Sequence, residues 1–318
     1  MLPPFACVFG PTAVGKTGLL VELLEGRGEI VVADSMQVYR GLSIGTAKPD
    51  AGERARVAHH LLDIRNPDEQ FHAGHFVEAA QSAVTDIAGR RGWPVVSGGT
   101  AFYLRSLLMG LPGTPPSEPE RLAALREQLA KDGLETLRRR LAEVDPESAR
   151  RISPEDEYRT LRALEVYEVS GRPLSSFPAP KELRKELSVA LVGLHRPREE
   201  LYRRIEKRVD QMLGAGLPAE VEGLLAAGYR PTDPGLRGIG YREFCEAYLE
   251  EPSRGTAFST YSGALLGDIA EAIKTNTRHY AKRQVTFLRS IPTVRWVGAD
   301  DEAGIFEVLE SFFASRHP

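Results

Sequence analysis

The sequence has few cysteines, no long apolar run and no strong net charge, and each absence argues against a class of protein. Cys7 and Cys245 are its two cysteines among 318 residues, and neither lies in a CxxC pair, which argues against a zinc site or a disulfide framework. A reducing compartment is therefore expected. No apolar run approaches the ~20 residues of a membrane span, and "MLPP" leads into a strand without a basic region or cleavage site. We expect a cytoplasmic protein that does not enter a membrane.

The charge balance gives no reason to expect a generic nucleic-acid coat protein. Lysine and arginine number 41 against 44 acidic residues, a net charge of −3, so only local basic patches could bind a polyanion. With 318 residues, 42% of them hydrophobic, the chain can bury a sizeable core as two domains or as one large domain with an insertion.

The first hundred residues alternate between strand-like and helix-like patterns. Short apolar runs at 5–9 ("FACVF") and 29–34 ("EIVVAD") flank a segment whose leucines share one helical face. An amphipathic helix over roughly 73–90, a Gly-Trp-Pro turn and the strand "PVVSGG" repeat the order. Such alternation predicts an α/β fold with a parallel sheet covered by helices on both faces.

A change of composition near residue 110 predicts a domain boundary. The stretch "GLPGTPPSEPE" contains four prolines, and from 117 to 185 the sequence is helix-like until a second proline-rich stretch, "GRPLSSFPAPKE". Residues 187–194, "LSVALVGL", resume a buried-strand pattern, and a last short strand is expected at 293–297. We therefore predict a catalytic core from 1–116 and 186–318, with an all-helical domain inserted at 117–185.

A phosphate-binding loop lies between the first predicted strand and helix. The pattern G-x-x-x-x-G-K-[ST] is formed by Gly10, Pro11, Thr12, Ala13, Val14, Gly15, Lys16 and Thr17. Backbone N–H groups and a helix N-terminus favour an anion there, Lys16 can reach the phosphates, and the Thr17 hydroxyl can ligate Mg²⁺. The flanking strand and helix disfavour a chance glycine-rich turn. The loop predicts a P-loop NTPase-like sheet and a polyphosphate ligand, without naming the molecule that carries the phosphates.

Asp34 follows the second strand, at the edge where ligands bind in open α/β sheets. Three roles are open for its carboxylate: a Walker-B-like magnesium ligand, a general base, or an N-cap of the following turn. The first is weakened because the later strand ends in Gly98, Gly99 and Thr100 instead of a second carboxylate. A Gly-Gly-Thr strand end offers close backbone approach and a hydroxyl, which suit a substrate or a leaving group.

Several arginine pairs share helical faces. Arg159 and Arg162 are spaced i, i+3 in "EDEYRTLRALEVYEVSG", where a solvated face with salt bridges to Glu155 or Glu165 is the ordinary alternative. Arg204 and Arg208 are spaced i, i+4 in "ELYRRIEKRVDQML", with the same alternative. The pattern alone favours ion pairs over function at both places.

The C-terminal region is more informative. From 273 to 299 there are six Lys or Arg residues and no acid, with Lys274, Arg278 and Lys282 at i, i+4, i+8. Neighbouring aromatic residues, among them Tyr280 and Phe287, add flat faces, so this basic stripe predicts contact with a nucleic acid or a diphosphate. The segment "RGIGYREF" adds Arg237, Tyr241 and Arg242 around two glycines, which suits a phosphate contact at a helix start.

Taken together, the motifs resemble those of a known enzyme family. In chain order they are GPTAVGKT, ADSMQVYRGLSIGTAKP, SGGTAFYL, RTLRALE, RIEKRVDQML, RGIGYRE and TRHYAKRQVTFLR. From residue 9 to about 297 they resemble the bacterial tRNA dimethylallyltransferases, also called tRNA isopentenyltransferases. The resemblance is specific, because DSMQVY and IGTAKP are not general features of P-loop kinases.

The resemblance implies transfer of the dimethylallyl group of dimethylallyl diphosphate to the exocyclic amine of the adenosine next to the anticodon. In that family the phosphate loop holds the departing diphosphate. The match implies that Asp34 is the general base, that Thr100 touches the diphosphate and the attacking amine, and that Arg208 binds the diphosphate. Lys16 and Thr17, with Mg²⁺ as cofactor, would assist departure of the diphosphate.

The resemblance also implies an RNA partner, the anticodon stem-loop of tRNA. The target base cannot react while stacked, so it should be flipped into a channel that reaches the sheet edge. Residues matching the family's base- or tRNA-contacting regions are Ser35, Met36, Gln37, Val38, Thr100, Arg159, Arg162, Arg237, Tyr241, Arg242, Lys282 and Arg283. The helical insertion would clamp the anticodon stem.

Three other functions compete with this one. A small-molecule P-loop kinase would leave the basic stripe unexplained, and an adenylate isopentenyltransferase would not need the long insertion. An RNA binder with a decayed loop is disfavoured because Gly15, Lys16 and Thr17 are intact. We expect a monomer whose partners are dimethylallyl diphosphate and tRNA, with no protein partner.

Overall fold

The computed structural model describes residues 2–315, and these form two compact units. The second unit comprises Met109–Leu183, and the first comprises the chain before and after it. The predicted insertion begins at 117 and ends at 185, whereas the compact unit begins eight residues earlier and ends two residues earlier. No helix among residues 2–315 combines the length and apolar character that a membrane span needs.

A parallel sheet forms the centre of the first unit. Its strands are β1 (Phe5–Phe9), β2 (Gly28–Ala33), β3 (His59–His60), β4 (Trp93–Gly98), β5 (Val189–His195) and β6 (Arg295–Gly298). The spatial order is β3-β2-β4-β1-β5-β6. This architecture confirms the predicted α/β class and its parallel sheet. The sequence did not predict β3, because two residues at a sheet edge carry no periodicity.

Helices cover the sheet and build the second unit. In the first unit they are α1 (Lys16–Leu24), α2 (Ala51–Arg56), α3 (Ala73–Gly89), α4 (Ala101–Met109), α8 (Arg198–Gly214), α9 (Leu217–Ala226), α10 (Arg242–Glu250), α11 (Gly263–Leu288) and α12 (Glu302–Ala314). In the second unit they are α5 (Pro119–Val144), α6 (Pro146–Arg151) and α7 (Glu157–Ser170). The helix α5 is interrupted at Gly133, where φ is +77°.

The strand β1 occupies the middle of the sheet and is buried along its whole length. Its register with β4 pairs Phe9 with Gly98, and the register of β2 with β4 pairs Ala33 with the same glycine. The residues that follow these strands, Gly10, Asp34 and Gly99, therefore emerge side by side at one edge. Parallel strand order thus brings together three motifs that are far apart in the sequence.

Gly98 permits this close alignment. A Cβ atom at this position would lie 2.0 Å from the carbonyl oxygen of Ala33 on the neighbouring strand, a distance that no side chain can tolerate. The glycine is therefore required by the approach of the two backbones, independently of any contact with a ligand.

The second unit has a core of its own, built from leucines and isoleucine on α5, α6 and α7. The buried members are Leu125, Leu137, Leu141, Ile152, Leu161, Ala163 and Leu164. The carboxylate of Glu165 is fully buried, and it accepts hydrogen bonds from the Ser117 hydroxyl (2.6 Å) and the Glu118 amide (2.8 Å). Arg162 completes this cluster by pairing with Glu165 (Nη1–Oε2, 2.5 Å) and donating to the carbonyl of Pro115 (2.6 Å).

Candidate active site at the carboxyl edge of the sheet

The phosphate-binding loop connects β1 to α1 in the conformation that its glycines require. Gly15 has φ of +109°, in the left-handed region, and it directly precedes the first residue of α1. The Lys16 ammonium donates to the carbonyls of Gly10 and Pro11, both at 2.9 Å, and so lies across the loop. The loop therefore holds its lysine in place before any ligand binds.

The amide groups of this loop fall into two sets. Amides that donate within the protein are those of Gly10 (to Gly98 O), Thr12 (to Gln284 Oε1) and Val14 (to Pro11 O). Amides that meet no acceptor within residues 2–315 are those of Ala13, Gly15, Lys16 and Thr17. The second set belongs to the start of α1, where the first N–H groups of a helix have no internal partner and favour an anion.

Two half-buried cations, Lys16 and Arg208, lie beside these amides. Burial and, to a lesser extent, the nearby charge of Arg208 lower the pKa of Lys16 to about 7, while Asp34 acts in the opposite direction. Burial likewise lowers the pKa of Arg208, whose Nη1 donates to the Thr12 hydroxyl (3.3 Å). Cations held out of water at short range are stabilised by an anion between them. The electrostatics therefore favour a multiply charged anion.

The arginines of α8 and the segment before it hold the loop from one side. Arg204 donates through Nε to the Ala13 carbonyl (2.8 Å), and Arg196 donates in the same way to the Val14 carbonyl (2.8 Å). Arg196 is also paired with Glu200 and Asp300. The face of α8 that the sequence pattern assigned to solvent therefore supports the loop, with Arg208 closest to the ligand position.

Asp34 lies at the same edge of the sheet as the loop, and its two carboxylate oxygens differ in their hydrogen bonds. Its Oδ1 accepts from the amides of Met36 (2.8 Å) and Gln37 (3.2 Å), so the capping role considered for this residue is present. No hydrogen bond to Oδ2 occurs within the described part of the chain. One oxygen thus shapes the turn, and the other is available to a proton donor from a ligand.

Thr100 joins the same constellation through β4. Its hydroxyl accepts from the Ser35 amide (2.9 Å) and donates to the Ser35 hydroxyl (3.4 Å), which ties the end of β4 to the end of β2. The sequence predicted that Asp34 and Thr100 share a site, and the strand order places them one and two residues beyond the ends of neighbouring strands.

The segment "IGTAKP" is held by contacts that its sequence did not reveal. The Glu220 carboxylate on α9 accepts from the amides of Ser43, Ile44 and Gly45 at 2.8–3.2 Å. Gln37 donates to the carbonyls of Thr46 (3.0 Å) and Ala47 (3.2 Å). These bonds fix the segment beside Asp34.

The helix α11 contributes two residues that sequence reasoning missed as site residues. Gln284 is buried and bridges two strand ends, because its Oε1 accepts from the Thr12 amide (2.8 Å) and its Nε2 donates to the Gly99 carbonyl (2.7 Å). Tyr280 lies one turn earlier on the same face. The i, i+4 spacing of Tyr280 and Gln284 could have indicated that they share a helical face. The sequence argument for this region rested on its positive charges instead.

Two cavities meet at this edge of the sheet. The larger, about 440 Å³, contains the phosphate-binding loop, and we call it the loop cavity. The smaller, about 230 Å³, is lined by Met36, Ile205, Val209, Met212, Ile239 and Ile273 among others, and we call it the apolar cavity. Both are lined by Thr12, Asp34, Thr46, Arg208 and Tyr280. An anion site thus opens directly onto a hydrophobic chamber, with Asp34 at the junction.

Comparison with known proteins agrees with this arrangement. A family model described as IPP transferase matches residues 37–291. The chain belongs to the IPP transferase family. It is 42% identical to tRNA dimethylallyltransferase 1 of Trichlorobacter lovleyi, with 99% of this chain and all of that protein covered. It is 47% identical to tRNA dimethylallyltransferase 2 of Geotalea uraniireducens, with 96% of each covered.

Solved structures of IPP transferase relatives share the fold. A full-length tRNA isopentenylpyrophosphate transferase from Bacillus halodurans superposes with a TM-score of 0.68 at 30% identity, covering 99% of this chain and 98% of that one. A eukaryotic dimethylallyltransferase acting on tRNA gives a TM-score of 0.75 at 25% identity, covering 99% and 80%. The resemblance proposed from motifs is confirmed.

Within this IPP transferase, two of the residues predicted to contact RNA are core residues. Tyr241 is fully buried, packs against Gly45 and donates to Glu220 (2.5 Å). Val38 is also fully buried. Neither side chain presents surface to a large ligand, so burial argues against RNA contact through these two side chains. The sequence pattern could not separate them from their exposed neighbours, because both lie in loops without periodicity.

The other predicted contacts differ in how far they are engaged within the protein. Arg162 is paired with Glu165, as the alternative interpretation of its motif expected. Arg159 is exposed beside Asp156 (3.4 Å), and Arg242 pairs with Glu243 and Glu246. Arg237, Lys282 and Arg283 are exposed, Ser35 and Met36 line the apolar cavity, and Gln37 lines the loop cavity. Their contacts with RNA stay predictions.

The basic stripe of α11 contains only positive charges along the sequence, but in the structure acidic side chains lie beside it. Lys274 pairs with Asp210 (2.8 Å) and Glu271 (3.0 Å), and Arg278 pairs with Glu206 (2.8 Å). Two of these acids belong to α8, which packs beside α11. The expectation of a continuous cationic face is therefore wrong for these two residues.

Proposed function

We propose that this chain transfers the dimethylallyl group of dimethylallyl diphosphate to the exocyclic amine of the adenosine 3′-adjacent to the anticodon in tRNA, releasing diphosphate. One observation carries the proposal: the cavity around the cationic phosphate-binding loop opens onto an apolar cavity, and the carboxylate of Asp34 lies where the two meet. An allylic diphosphate has the same two parts, and an acceptor amine must reach the carbon between them.

The loop cavity suits the diphosphate. The free amides at the start of α1, the Lys16 ammonium and the Arg208 guanidinium converge there. Negative charge on the diphosphate grows as the carbon–oxygen bond breaks, so preorganised donors stabilise the transition state more than the bound substrate. The five-carbon chain would lie in the apolar cavity, whose methionine and isoleucine side chains exclude water from the allylic cation.

Asp34 suits the acceptor. The bond between the adenosine nitrogen and the allylic carbon forms with the nitrogen lone pair, and the electron pair of the broken carbon–oxygen bond stays on the diphosphate. One amine proton must then leave, and Asp34 Oδ2 is free to accept it. Thr100 and Ser35, joined by hydrogen bonds, lie beside this carboxylate and would orient the base.

Mg²⁺ is proposed as the cofactor, and the residues present fit a limited direct role for the protein. No cluster of three or more His, Cys, Asp or Glu side chains that could hold a metal occurs among the described residues. The Thr17 hydroxyl, in the first turn of α1, lines the loop cavity and would be the protein ligand. Mg²⁺ is commonly held by few protein groups, substrate phosphates and waters, and it neutralises phosphate charge.

The proposed activity predicts label transfer to tRNA and not to nucleotides. Purified protein incubated with labelled dimethylallyl diphosphate and Mg²⁺ should label total tRNA, while ATP and AMP stay unlabelled. The loop binds the same chemical group as a nucleotide kinase, so ATP hydrolysis must be measured in parallel. Measurable ATP turnover without transfer of label to tRNA would contradict the proposal and favour a kinase.

The exposed cations of α11 provide a test of RNA contact. Changing Lys282 and Arg283 together to alanine should weaken tRNA binding and lower the slope of log K against log salt by about 2, roughly one unit for each lost phosphate contact. The control is Lys274→Ala with Arg278→Ala, which removes equal charge from residues already paired with Glu206, Asp210 and Glu271. If both variants shift the slope equally, net charge and not local contact is responsible.

A further inference from the structure

Tyr280 occupies a position that its sequence context did not suggest. The sequence grouped it with the aromatic residues of the basic stripe, for contact with a nucleic acid or a diphosphate, and its side chain lines both the loop cavity and the apolar cavity. It is half-buried, and it projects from α11 on the face that also carries Gln284. Of the other residues that line both cavities, Asp34 and Arg208 already have parts in the proposed reaction.

The Tyr280 hydroxyl belongs to a hydrogen-bonded network around the junction. It lies within hydrogen-bonding reach of the Thr100 and Gln284 side chains. Gln284 is fixed by the Thr12 amide and the Gly99 carbonyl, and Thr100 is fixed by Ser35. The phenol therefore lies near side chains that are themselves anchored to the ends of β1, β2 and β4. A hydroxyl can donate one hydrogen bond and accept two. The Gln284 amide can therefore donate to the Tyr280 oxygen while the Tyr280 proton is donated to another group.

The position of the reacting bond follows from the two cavities. If the diphosphate lies in the loop cavity and the five-carbon chain in the apolar cavity, then the carbon–oxygen bond that breaks must cross the junction. Side chains that line both cavities are the ones that can reach the bridging oxygen of this bond. Lys16 and the free loop amides lie in the loop cavity only, nearer to the outer phosphate oxygens.

We propose that the Tyr280 hydroxyl donates a hydrogen bond to the bridging oxygen of dimethylallyl diphosphate as the carbon–oxygen bond breaks. The electron pair of that bond passes to this oxygen, and the phenol keeps its proton throughout. The amine proton still goes to Asp34. This inference rests on the proposed function and adds a donor at the one diphosphate oxygen whose charge increases most.

The electrostatic surroundings keep the phenol protonated, as a donor must be. Burial and, to a lesser extent, the Asp34 carboxylate raise the pKa of Tyr280 to about 12, against the opposing influence of the neighbouring Thr100 and Gln284 side chains and the charge of Arg283. At neutral pH the hydroxyl therefore carries its proton. No proton transfer from Tyr280 is needed, so the rate should not follow its titration.

Tyr280→Phe tests the inference, because it removes the hydroxyl and keeps the ring. We expect the single-turnover rate of prenyl transfer to fall about 10²-fold, the effect of losing one preorganised donor to a developing charge. The Kd values for inorganic pyrophosphate and for tRNA, and the Tm, should be unchanged. The matched control, Tyr229→Phe, alters another half-buried tyrosine, one that lies outside both cavities, and should react like the unchanged protein.

A second measurement separates hydrogen-bond donation from a packing role. Replacing Tyr280 with 3-fluorotyrosine makes the phenol more acidic and a stronger donor, so the single-turnover rate should exceed that of the unchanged protein. A packing role instead predicts that Tyr280→Phe keeps the single-turnover rate of the unchanged protein and that fluorination has no effect on it. A wild-type rate for Tyr280→Phe, or a loss explained by weaker pyrophosphate binding, would overturn the inference. If the unchanged protein itself labels no tRNA, the proposed function fails instead.

Discussion

Asp34→Asn should lower the single-turnover rate of prenyl transfer about 10³-fold, within the range that a general base contributes. Asparagine keeps an oxygen that can accept from the Met36 and Gln37 amides, so the turn after β2 should persist. Its amide nitrogen cannot take a proton from the acceptor amine. Binding of tRNA and pyrophosphate should therefore be retained, as measured by equilibrium titration.

The comparison with Asp34→Ala divides the two functions of this carboxylate. Alanine removes both the base and the cap, and loss of a cap costs about 0.5–2 kcal/mol of stability. We expect both variants to lose transfer, but a lower Tm for the alanine variant alone. A wild-type rate with asparagine would mean that Asp34 only shapes the turn, and the base would have to be sought elsewhere.

Lys16→Met should abolish measurable binding of inorganic pyrophosphate and lower the rate of transfer by about 10²–10³-fold, the effect of losing a preorganised charge beside the leaving group. The lysine is half-buried, its ammonium spans the loop through the carbonyls of Gly10 and Pro11, and methionine matches its length without the charge. Isothermal titration with pyrophosphate measures the first effect and single-turnover label transfer the second, while tRNA binding should persist.

Arg196→Met is the matched control for Lys16. It removes the same charge and a contact to the loop, the bond to the Val14 carbonyl, but its guanidinium is neutralised by Glu200 and Asp300. We expect a change in stability with a much smaller loss of pyrophosphate affinity. Equal losses in the two variants would show that loop geometry, and not the Lys16 charge, controls binding of the anion.

Ordered motifs made the fold and the family predictable. Alternating apolar runs and helical faces predicted the parallel sheet, and the glycine-rich pattern predicted an anion site between β1 and α1. Asp34 and Thr100 could be assigned to one site because the carboxyl ends of parallel strands share an edge. These inferences depend on local patterns whose geometric consequence is the same in every sheet of this kind.

Residues in irregular segments and on shared helices were harder to assign. Tyr241 and Val38 looked like ligand contacts and are buried, because a loop has no periodicity to show which side chains face inward. Glu220 was not identified, although it organises three successive amides of another segment 175–177 residues away in sequence. A bond between distant segments leaves no signal in one sequence.

The charge on α11 shows the same difference between sequence and structure. Lys274, Arg278 and Lys282 form one pattern along the chain, yet the first two meet acids of α8 and the third is exposed. The opposite face of the helix carries Tyr280 and Gln284 into the site. The packing of α8 against α11 decides which face of α11 meets solvent, which meets acidic side chains and which meets the cavity.

The sequence by itself determined the sheet, the anion site and the family, because each depends on short-range backbone geometry or on motifs read in order. Only the tertiary structure decided which cations remain free, that Arg204 supports the loop while Arg208 reaches the ligand position, and that Tyr280 lies where two cavities meet. Those outcomes depend on burial and charge pairing between segments far apart in the chain, which local spacing does not encode.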